Sequence, residues 1–259
     1  MALHAIVLGG GLLTPDDPLY DSAPGGHRSL IPIGGKSMAQ WVIDALSGSE
    51  SVQSITVMGL STESGLHSTK PLDFLPDNGD LFENIKVGIL HAANLLPEQN
   101  KVIIASSDIP AIQPEMVDWL GDQIKQNPEA LIYYDVIQKE VMEQRFPQAG
   151  RSYIRFKDIA VCGGDLNLID KRLFTVEKPI WKVLTENRKH PLRQAGLLGL
   201  DNLLLVALHL ITLDGAVKRI CKRLEIKATA LRCPYAEMAM DADKPHQLEI
   251  LRQDMESRA

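Results

Sequence analysis

The chain has 259 residues, of which 45% are hydrophobic and 23% are charged, and its formal net charge is −6 at pH 7. This length suits one large α/β domain with a substantial core. The acidic balance argues against general nucleic-acid binding, which needs a basic surface. The three cysteines lack the spacing of a disulfide framework or a thiolate zinc site, so we expect a reduced, cytoplasmic protein.

Apolar runs of strand type alternate with segments of helical period over the first 136 residues. Strands are predicted near Leu3–Leu8, Ile55–Gly59, Val102–Ala105 and Leu131–Val136, and helices near Met38–Leu46, Leu81–Leu96 and Glu115–Lys125. Ser37, Asp80 and Pro114 are typical residues for the starts of these helices. The alternation predicts a Rossmann-like, three-layer α/β/α fold with a mostly parallel central sheet, whose ligands bind at the carboxyl ends of the strands.

After residue 150 the pattern changes. Strand geometry over residues 151–158 places Arg151, Tyr153, Arg155 and Lys157 on one face. This basic stripe is either a solvated strand face or a site for an anionic acceptor. Residues from about 170 to 223 look largely helical, and we expect them to form an insertion within a single domain that spans residues 1–259.

Residues 196–213 form the most apolar stretch of the chain. The stretch reaches the ~18 residues at which a membrane span is considered, but it contains Asp201, Asn202 and His209. We expect a helix pair, broken near Gly199, that is buried in the core or in a homodimer interface. A membrane-surface role is the less favoured alternative.

The first predicted strand ends in three glycines at positions 9–11. Such a loop lets backbone N–H groups approach phosphate oxygens, although glycine turns also serve plain connectivity. A Walker A loop is excluded, because Leu30 stands where the first glycine should precede Gly35-Lys36-Ser37. A dinucleotide fingerprint that starts at Gly9 is weakened by Thr14 and Pro15, where its third glycine and helix should lie.

A better match uses three segments in order along the chain. They are Leu8-Gly9-Gly10-Gly11 with the later RSLIPIGGKSM at residues 28–38, then Ser106-Ser107-Asp108-Ile109-Pro110, and finally Met240-Asp241-Ala242-Asp243-Lys244-Pro245. Together they resemble the nucleotidyltransferases of the molybdenum-cofactor cytidylyltransferase (MobA-like NTP transferase) and sugar-phosphate nucleotidyltransferase type. The resemblance covers most of the chain outside the helical insertion. It implies a GT-A-like nucleotidyltransferase fold and Mg²⁺-dependent transfer of a nucleoside monophosphate from a triphosphate to a small phosphorylated acceptor, with release of pyrophosphate.

The resemblance also implies site residues. Asp108 and Asp243 would hold Mg²⁺, which prefers carboxylate and phosphate oxygens, although singly they also suit a turn and a helix cap. The catalytic candidates are Arg28, Lys36 and Asp108. The nucleotide-binding candidates are Leu8, Gly9, Gly10, Gly11, Arg28, Gly79, Asn84 and Asp108, with the base near Gly79 and Asn84. The acceptor candidates are Tyr153, Arg155, Lys157, Gly164 and Asp165.

The family usually places one basic residue directly after its glycines and a second at the later segment, where Arg28 stands here. The first has no counterpart, and residues 12–27 are instead acidic, with Asp16, Asp17 and Asp21. This segment is either a lid that orders when substrate binds or a sign of lost catalysis. Two other functions remain open, namely a metal-dependent glycosyltransferase that uses Asp241 and Asp243 as a D-x-D motif, and a nucleotide sensor of the same fold.

Overall fold

The computed structural model describes residues 2–175 and 199–257. The strands are β1 (Leu3–Leu8), β2 (Pro32–Ile33), β3 (Lys36–Ser37), β4 (Val52–Met58), β5 (Leu72–Leu75), β6 (Lys101–Ser106), β7 (Ile132–Gln138), β8 (Ile154–Arg155), β9 (Ala160–Gly163), β10 (Leu166–Asp170) and β11 (Ala228–Cys233). The helices are α1 (Met38–Gly48), α2 (Leu81–Leu95), α3 (Pro114–Gln126), α4 (Lys139–Arg145), α5 (Arg172–Thr175), α6 (Leu200–Ala207), α7 (Leu213–Leu224) and α8 (Pro245–Glu256).

A mixed sheet runs through the molecule in the order β5-β4-β1-β6-β10-β7-β9-β8, and β11 also pairs with β7. The strands β5, β4, β1 and β6 are parallel to one another, as are β7 and β11. The strands β8, β9 and β10 run antiparallel to their partners. Helices cover this sheet, so the predicted α/β class with mostly parallel central strands is confirmed.

Side chains of β1 alternate between two cores, as a strand with helices on both faces requires. Leu3, Ala5 and Val7 belong to the main core with residues of α1 and α3, whereas Ile6 packs with residues of α2. A Cβ on Gly88 would lie only 2.8 Å from Ile6, so a glycine at this position lets α2 pack closely on the sheet.

The predicted helix starts are also confirmed. The Ser37 hydroxyl accepts a hydrogen bond from the N–H of Gln40, and Asp80 accepts from the N–H groups of Phe82 and Glu83. Pro114 occupies the first turn of α3. The strands β1, β6 and β7 begin and end close to the predicted positions, β4 begins three residues before its predicted start, and β2, β3 and β5 were not predicted. The carboxyl ends of β1 and β6 lie side by side.

The predicted strand over residues 151–158 was wrong. Only Ile154 and Arg155 pair with a neighbouring strand, and residues 151–153 are irregular. The side chain of Arg151 instead forms an ion pair with Asp241, so a contact distant in sequence overrides the alternating pattern.

The expected helical insertion contains α5, α6 and α7, and its residues 176–198 lie outside the described residues. Gly199, with a φ of +91°, caps α6, as the predicted helix break requires. The prediction that the apolar stretch is buried in the core was wrong, because Leu204, Leu208 and Leu210 are 56–61% exposed. Among the helices of the described residues, none has the length and apolar character that crossing a membrane requires.

Candidate active site

The glycine loop leaves β1 and crosses directly over the end of β4. The N–H of Gly9 donates to the carbonyl of Met58 at 2.9 Å, and a Cβ on Gly59 would lie 2.4 Å from the Cα of Gly10. Gly11 has a φ of +96°, in the region that favours glycine. The glycines on both sides of this crossing therefore let the two backbones touch, which holds the loop at the edge of the sheet.

A pocket of about 560 Å³ lies against this loop, in the size range of small-molecule sites. Two of its walls are apolar, because the side chains of Leu12 and Leu81 are 65% and 57% exposed there. Most of the predicted nucleotide-binding residues line the pocket, namely Leu8, Gly10, Gly11, Arg28, Gly79, Asn84 and Asp108. Gly9 anchors the loop without lining the pocket.

Asp77 is a pocket residue that sequence reasoning missed. Its Oδ1 accepts hydrogen bonds from Asn84 Nδ2 at 2.8 Å and from the N–H of Gly79 at 3.0 Å. The bond from Asn84, then that from Gly79 and a further one from the N–H of Gly11, lower the pKa of Asp77. This network fixes the predicted base-binding residues beside the glycine loop. In the sequence, Asp77 reads only as an ordinary turn residue after β5.

Two serines that the sequence did not single out join the walls of the pocket. The hydroxyl of Ser29 donates to the carbonyl of Gly9 at 2.9 Å and lies 2.7 Å from the hydroxyl of Ser107. Both serines are buried, so these bonds are shielded from water. They hold Arg28 and Asp108, their neighbours in sequence, on adjoining sides of the pocket.

Arg28 lies between the two carboxylates that were predicted to bind metal. Its Nη1 donates to Asp243 Oδ1 and lies 3.8 Å from Asp108 Oδ2, and its Nη2 lies 3.5 Å from Asp17 Oδ2. The N–H of Ala242 donates to the carbonyl of Asp108 at 3.2 Å. This backbone bond brings the segment before α8 to the end of β6, so that both carboxylates face one guanidinium.

Burial raises the pKa of Asp108 above its ordinary value, and the negative charge of Asp243 adds to this rise. A hydrogen bond from the Ser106 hydroxyl and the positive charge of Arg28 oppose it. A cation between the two carboxylates therefore favours the ionised form of Asp108.

The donor set fits Mg²⁺, which proteins hold through one or two carboxylates while water and phosphate oxygens complete the shell. Within residues 2–175 and 199–257, no three His, Cys, Asp or Glu side chains gather closely enough to hold a metal ion. Asp108 and Asp243 supply two carboxylates, the number that such a Mg²⁺ site uses.

Arg151, Asp241 and Asp165 form a charged cluster beside that of Arg28, Asp108 and Asp243. The side chains of Arg151 and Asp241 form an ion pair and are only 14% and 13% exposed, and Arg151 Nη2 lies 3.8 Å from Asp165 Oδ2. Burial raises the pKa of Asp165 to about 7, the charges of Asp108 and Asp243 contribute, and Arg151 opposes them. Asp165 therefore lies close enough to Asp108 and Asp243 for their negative charges to raise its pKa.

A close backbone approach places Asp165. The N–H of Gly164 donates to the carbonyl of Asp135 at 2.8 Å, and a Cβ on Gly164 would lie 2.8 Å from the Cβ of Asp135. The carbonyl of Asp165 accepts from the N–H of Ser106 at 2.9 Å, which ties this turn to the end of β6. The structure thus brings the predicted residues Gly164 and Asp165 next to the pocket.

The other three acceptor candidates are not brought to this place. Arg155 and Lys157 line a separate groove of about 490 Å³ that shares no residue with the pocket. The hydroxyl of Tyr153 donates to Glu143 at 2.9 Å. The structure therefore divides the predicted basic stripe, with Arg151 inside the charged cluster and Arg155 and Lys157 outside it.

Lys36 also lies apart from the pocket lining. Its ammonium is 2.6 Å from Asp44 Oδ2 and 4.5 Å from the centre of the Trp41 ring. A direct role in catalysis would require Lys36 to leave both partners.

The acidic segment 12–27 is packed onto the protein. Leu19 and Ala23 belong to the main core, and the N–H of Leu13 donates to the carbonyl of Gly26 at 2.8 Å. Asp17 lines the pocket and faces Arg28. The segment therefore forms one wall of the pocket in the absence of substrate.

A glycine-rich loop on one side of the pocket and two aspartates that meet at Arg28 on the other match the arrangement that the sequence predicts for a nucleotidyltransferase. The chain belongs to the MobA-like NTP transferase domain family, whose model matches residues 6–175. No curated protein sequence matches the chain significantly.

Solved structures share the fold of this chain. A hypothetical transferase from Thermus thermophilus is 33% identical with a TM-score of 0.81, and the match covers 96% of this chain and 100% of that one. A CMP:2-keto-3-deoxy-manno-octonic acid synthetase complexed with CTP is 11% identical, with a TM-score of 0.59 and coverage of 100% and 99%. A 4-diphosphocytidyl-2C-methyl-D-erythritol synthase from Anaerococcus prevotii is 10% identical, with a TM-score of 0.58 and coverage of 98% and 95%. The last two show likeness of fold.

Proposed function

We propose that the protein transfers a nucleoside monophosphate from a nucleoside triphosphate to a small phosphorylated acceptor, with Mg²⁺ as cofactor. The observation that carries this proposal is the convergence of Asp108 and Asp243 on one guanidinium beside the glycine-loop pocket. In the reaction, an acceptor phosphate oxygen bonds to the α-phosphorus, the bond between that phosphorus and the bridging oxygen breaks, and pyrophosphate leaves with that oxygen.

The protein's task in this reaction is to bring two anions together and neutralise their charge. The backbone of Gly10 and Gly11, which line the pocket, lies against the triphosphate, Gly9 anchors this loop, and Arg28 supplies a cation. Asp108 and Asp243 would hold Mg²⁺, which when bound neutralises charge at the α-phosphate. The network around Asn84 and Gly79 borders the base.

We place the acceptor beside Gly164 and Asp165, next to the carboxylates. Arg151 adds positive charge there, although it is already paired with Asp241. Arg155 and Lys157 are candidates only for a part of the acceptor that reaches the neighbouring groove. Two structural neighbours are named for cytidylyl chemistry, which makes CTP a necessary member of any substrate panel.

A glycosyltransferase with a D-x-D metal motif is less well supported. Such a motif needs metal contact through its aspartates, whereas Asp241 is held in an ion pair with Arg151 and only Asp243 contacts Arg28 at the edge of the pocket. A sensor without turnover is distinguished only by experiment.

The test is release of pyrophosphate from each of the four ribonucleoside triphosphates, with Mg²⁺ and a panel of phosphorylated sugars, alcohols and cofactor precursors. We expect release from one triphosphate that depends on one acceptor class. A glycosyltransferase would release no pyrophosphate and would consume a nucleotide sugar. A sensor would bind a triphosphate, detected as a rise in Tm, without turnover.

We also propose a homodimer through the apolar segment 196–213, because its exposed leucines form apolar surface. Light scattering over a range of protein concentrations tests it, and a monomer at every concentration would refute it.

A further inference from the structure

Arg28 has three carboxylate partners, although its side chain is 27% exposed at the edge of the pocket. Nη1 is shared between Asp243 and Asp108, and Nη2 faces Asp17. Two of these partners are the carboxylates to which we assign Mg²⁺. The same oxygen atoms thus have two candidate cations, one from the protein and one from solution.

Arg28 and a metal ion compete for Oδ1 of Asp243. Mg²⁺ needs carboxylate oxygens at about 2.1 Å, and Nη1 already donates to Oδ1 of Asp243. Two cations at one carboxylate oxygen repel each other strongly in a partly buried site. A metal ion that binds Oδ1 must therefore displace the guanidinium from that oxygen, whereas one bound only through Oδ2 would leave Arg28 in place.

Asp17 is a partner that keeps the guanidinium of Arg28 in the pocket after it leaves Asp243. Its Oδ1 accepts the N–H of Leu19 at 2.9 Å, and the side chain of Leu19 is 1% exposed in the core. This leaves Oδ2 to face Arg28 from a fixed position. The acidic segment thereby tethers the arginine independently of Asp243.

We propose that Arg28 is an exchangeable counter-cation of the metal site. In the free protein it neutralises Asp243 and Asp108. When Mg²⁺ takes over these carboxylates, the guanidinium stays beside Asp17 and turns to the triphosphate. The inference rests on the proposed function, and it assigns the acidic segment the task of holding an arginine, where the family pattern has a basic residue in the loop itself.

The first test measures binding of Mn²⁺ alone, by electron paramagnetic resonance, to the wild type and to Arg28→Gln. If Arg28 occupies Asp243 for nine-tenths of the time, its removal tightens Mn²⁺ binding about tenfold. The matched control is Arg219→Gln, because Arg219 pairs with Asp201 on the exposed surface of the insertion. Thermal unfolding verifies that each variant folds. An unchanged Mn²⁺ affinity in Arg28→Gln would overturn the proposal.

The second test separates exchange from simple charge repulsion with a double-mutant cycle in EDTA. In the Asp243→Asn variant, Arg28 is released from residue 243 although no metal ion is present. We therefore expect this variant to bind a triphosphate several-fold more tightly than the wild type. This gain should largely disappear in the Arg28→Gln background. Equal gains in both backgrounds would show that Asp243 acts only by repelling phosphate, which would overturn the exchange.

The two proposals fail differently. Tighter Mn²⁺ binding in Arg28→Gln, without triphosphate binding or transfer by the wild type, would refute the nucleotidyltransferase function and leave the exchange in place. An active wild type whose Mn²⁺ affinity does not respond to Arg28→Gln would refute the exchange alone.

Discussion

The two halves of the sheet build their share of the site in different ways. The parallel half, from β5 to β6, positions the pocket with backbone that is held by close glycine crossings and short hydrogen-bonded turns. The half around β7, β9 and β10 contributes charged side chains that pair across long stretches of sequence, as Arg151 and Asp241 do. The contribution of the first half therefore depends on close backbone packing, and that of the second half depends on the pairing of opposite charges.

The largest expected effect tests the charges that face the pocket. Asp108→Asn and Asp243→Asn should each lower kcat/KM for pyrophosphate release by about 10³, or ~4 kcal/mol, because each removes a metal-binding charge. Asp122→Asn, at an exposed position on α3, is the matched control and should leave activity unchanged. Full activity in both site variants would contradict the metal assignment.

The next effect tests the shape of the parallel half. Gly59→Ala combines a φ of +83° with a Cβ only 2.4 Å from Gly10, so we expect it to reduce the free energy of unfolding by roughly 3 kcal/mol and to weaken triphosphate binding. Gly65→Ala is the control, because Gly65 has a φ of +73° but no atom within 4 Å of the new Cβ. It should cost about 1 kcal/mol in urea unfolding. Equal losses would show that the crossing is not tightly packed.

The parallel half also contains a buried base, which predicts sensitivity to acid. His4 bonds the hydroxyls of Ser54 and Thr56 at 2.7 and 2.9 Å, and burial, with a contribution from His91, lowers its pKa from 6.5 to about 4. As the pH is lowered, the unfolded chain takes up this proton at a higher pH than the folded protein does. The free energy of unfolding therefore has its full value above pH 6.5. It should fall by about 3 kcal/mol as the pH drops toward 4.

His4→Gln removes this titration, so its free energy of unfolding should change much less between pH 6.5 and 4 than that of the wild type. His67→Gln, at an exposed loop position, is the control and should keep the wild-type dependence. A wild type whose stability is constant over this range would contradict the assignment.

The smallest expected effect concerns the half around β7, β9 and β10. There we expect stability to fall as the pH rises, opposite to the effect of His4. Asp135 is fully buried, neither of its carboxylate oxygens has a hydrogen-bond partner among the residues that the structure describes, and burial raises its pKa well above the ordinary value. The unfolded chain releases this proton near pH 4, so stability should fall as the pH rises from there. Asp135→Asn should therefore raise Tm by a few degrees at pH 8 and by less at pH 4. A gain that is equal at both values would show that Asp135 does not titrate.

The sequence predicts the parallel half well because its signals are local. Strand β1, the caps at Ser37 and Asp80, and the glycine loop each follow from a short pattern with a direct physical cause. The pairing of Arg151 with Asp241 has no such pattern, since it joins positions 90 residues apart. The same holds for Ser29, whose partners Gly9 and Ser107 lie in other loops. Asp77 bonds the nearby Gly79 and Asn84, but its place beside the glycine loop depends on the distant Gly11. The position of Lys36 in a motif did not bring it to the pocket.

In the proposed reaction, the pocket binds a triphosphate whose α-phosphate is transferred. The most direct measurement follows a radiolabel placed on the α-phosphate or on the γ-phosphate of each triphosphate, in the presence of Mg²⁺ and the acceptor panel. We predict that the α-label enters a new product, that the γ-label leaves in pyrophosphate, and that Asp108→Asn prevents both. Failure of the wild type to transfer the α-label from any triphosphate, or appearance of the γ-label in the product, would contradict the account.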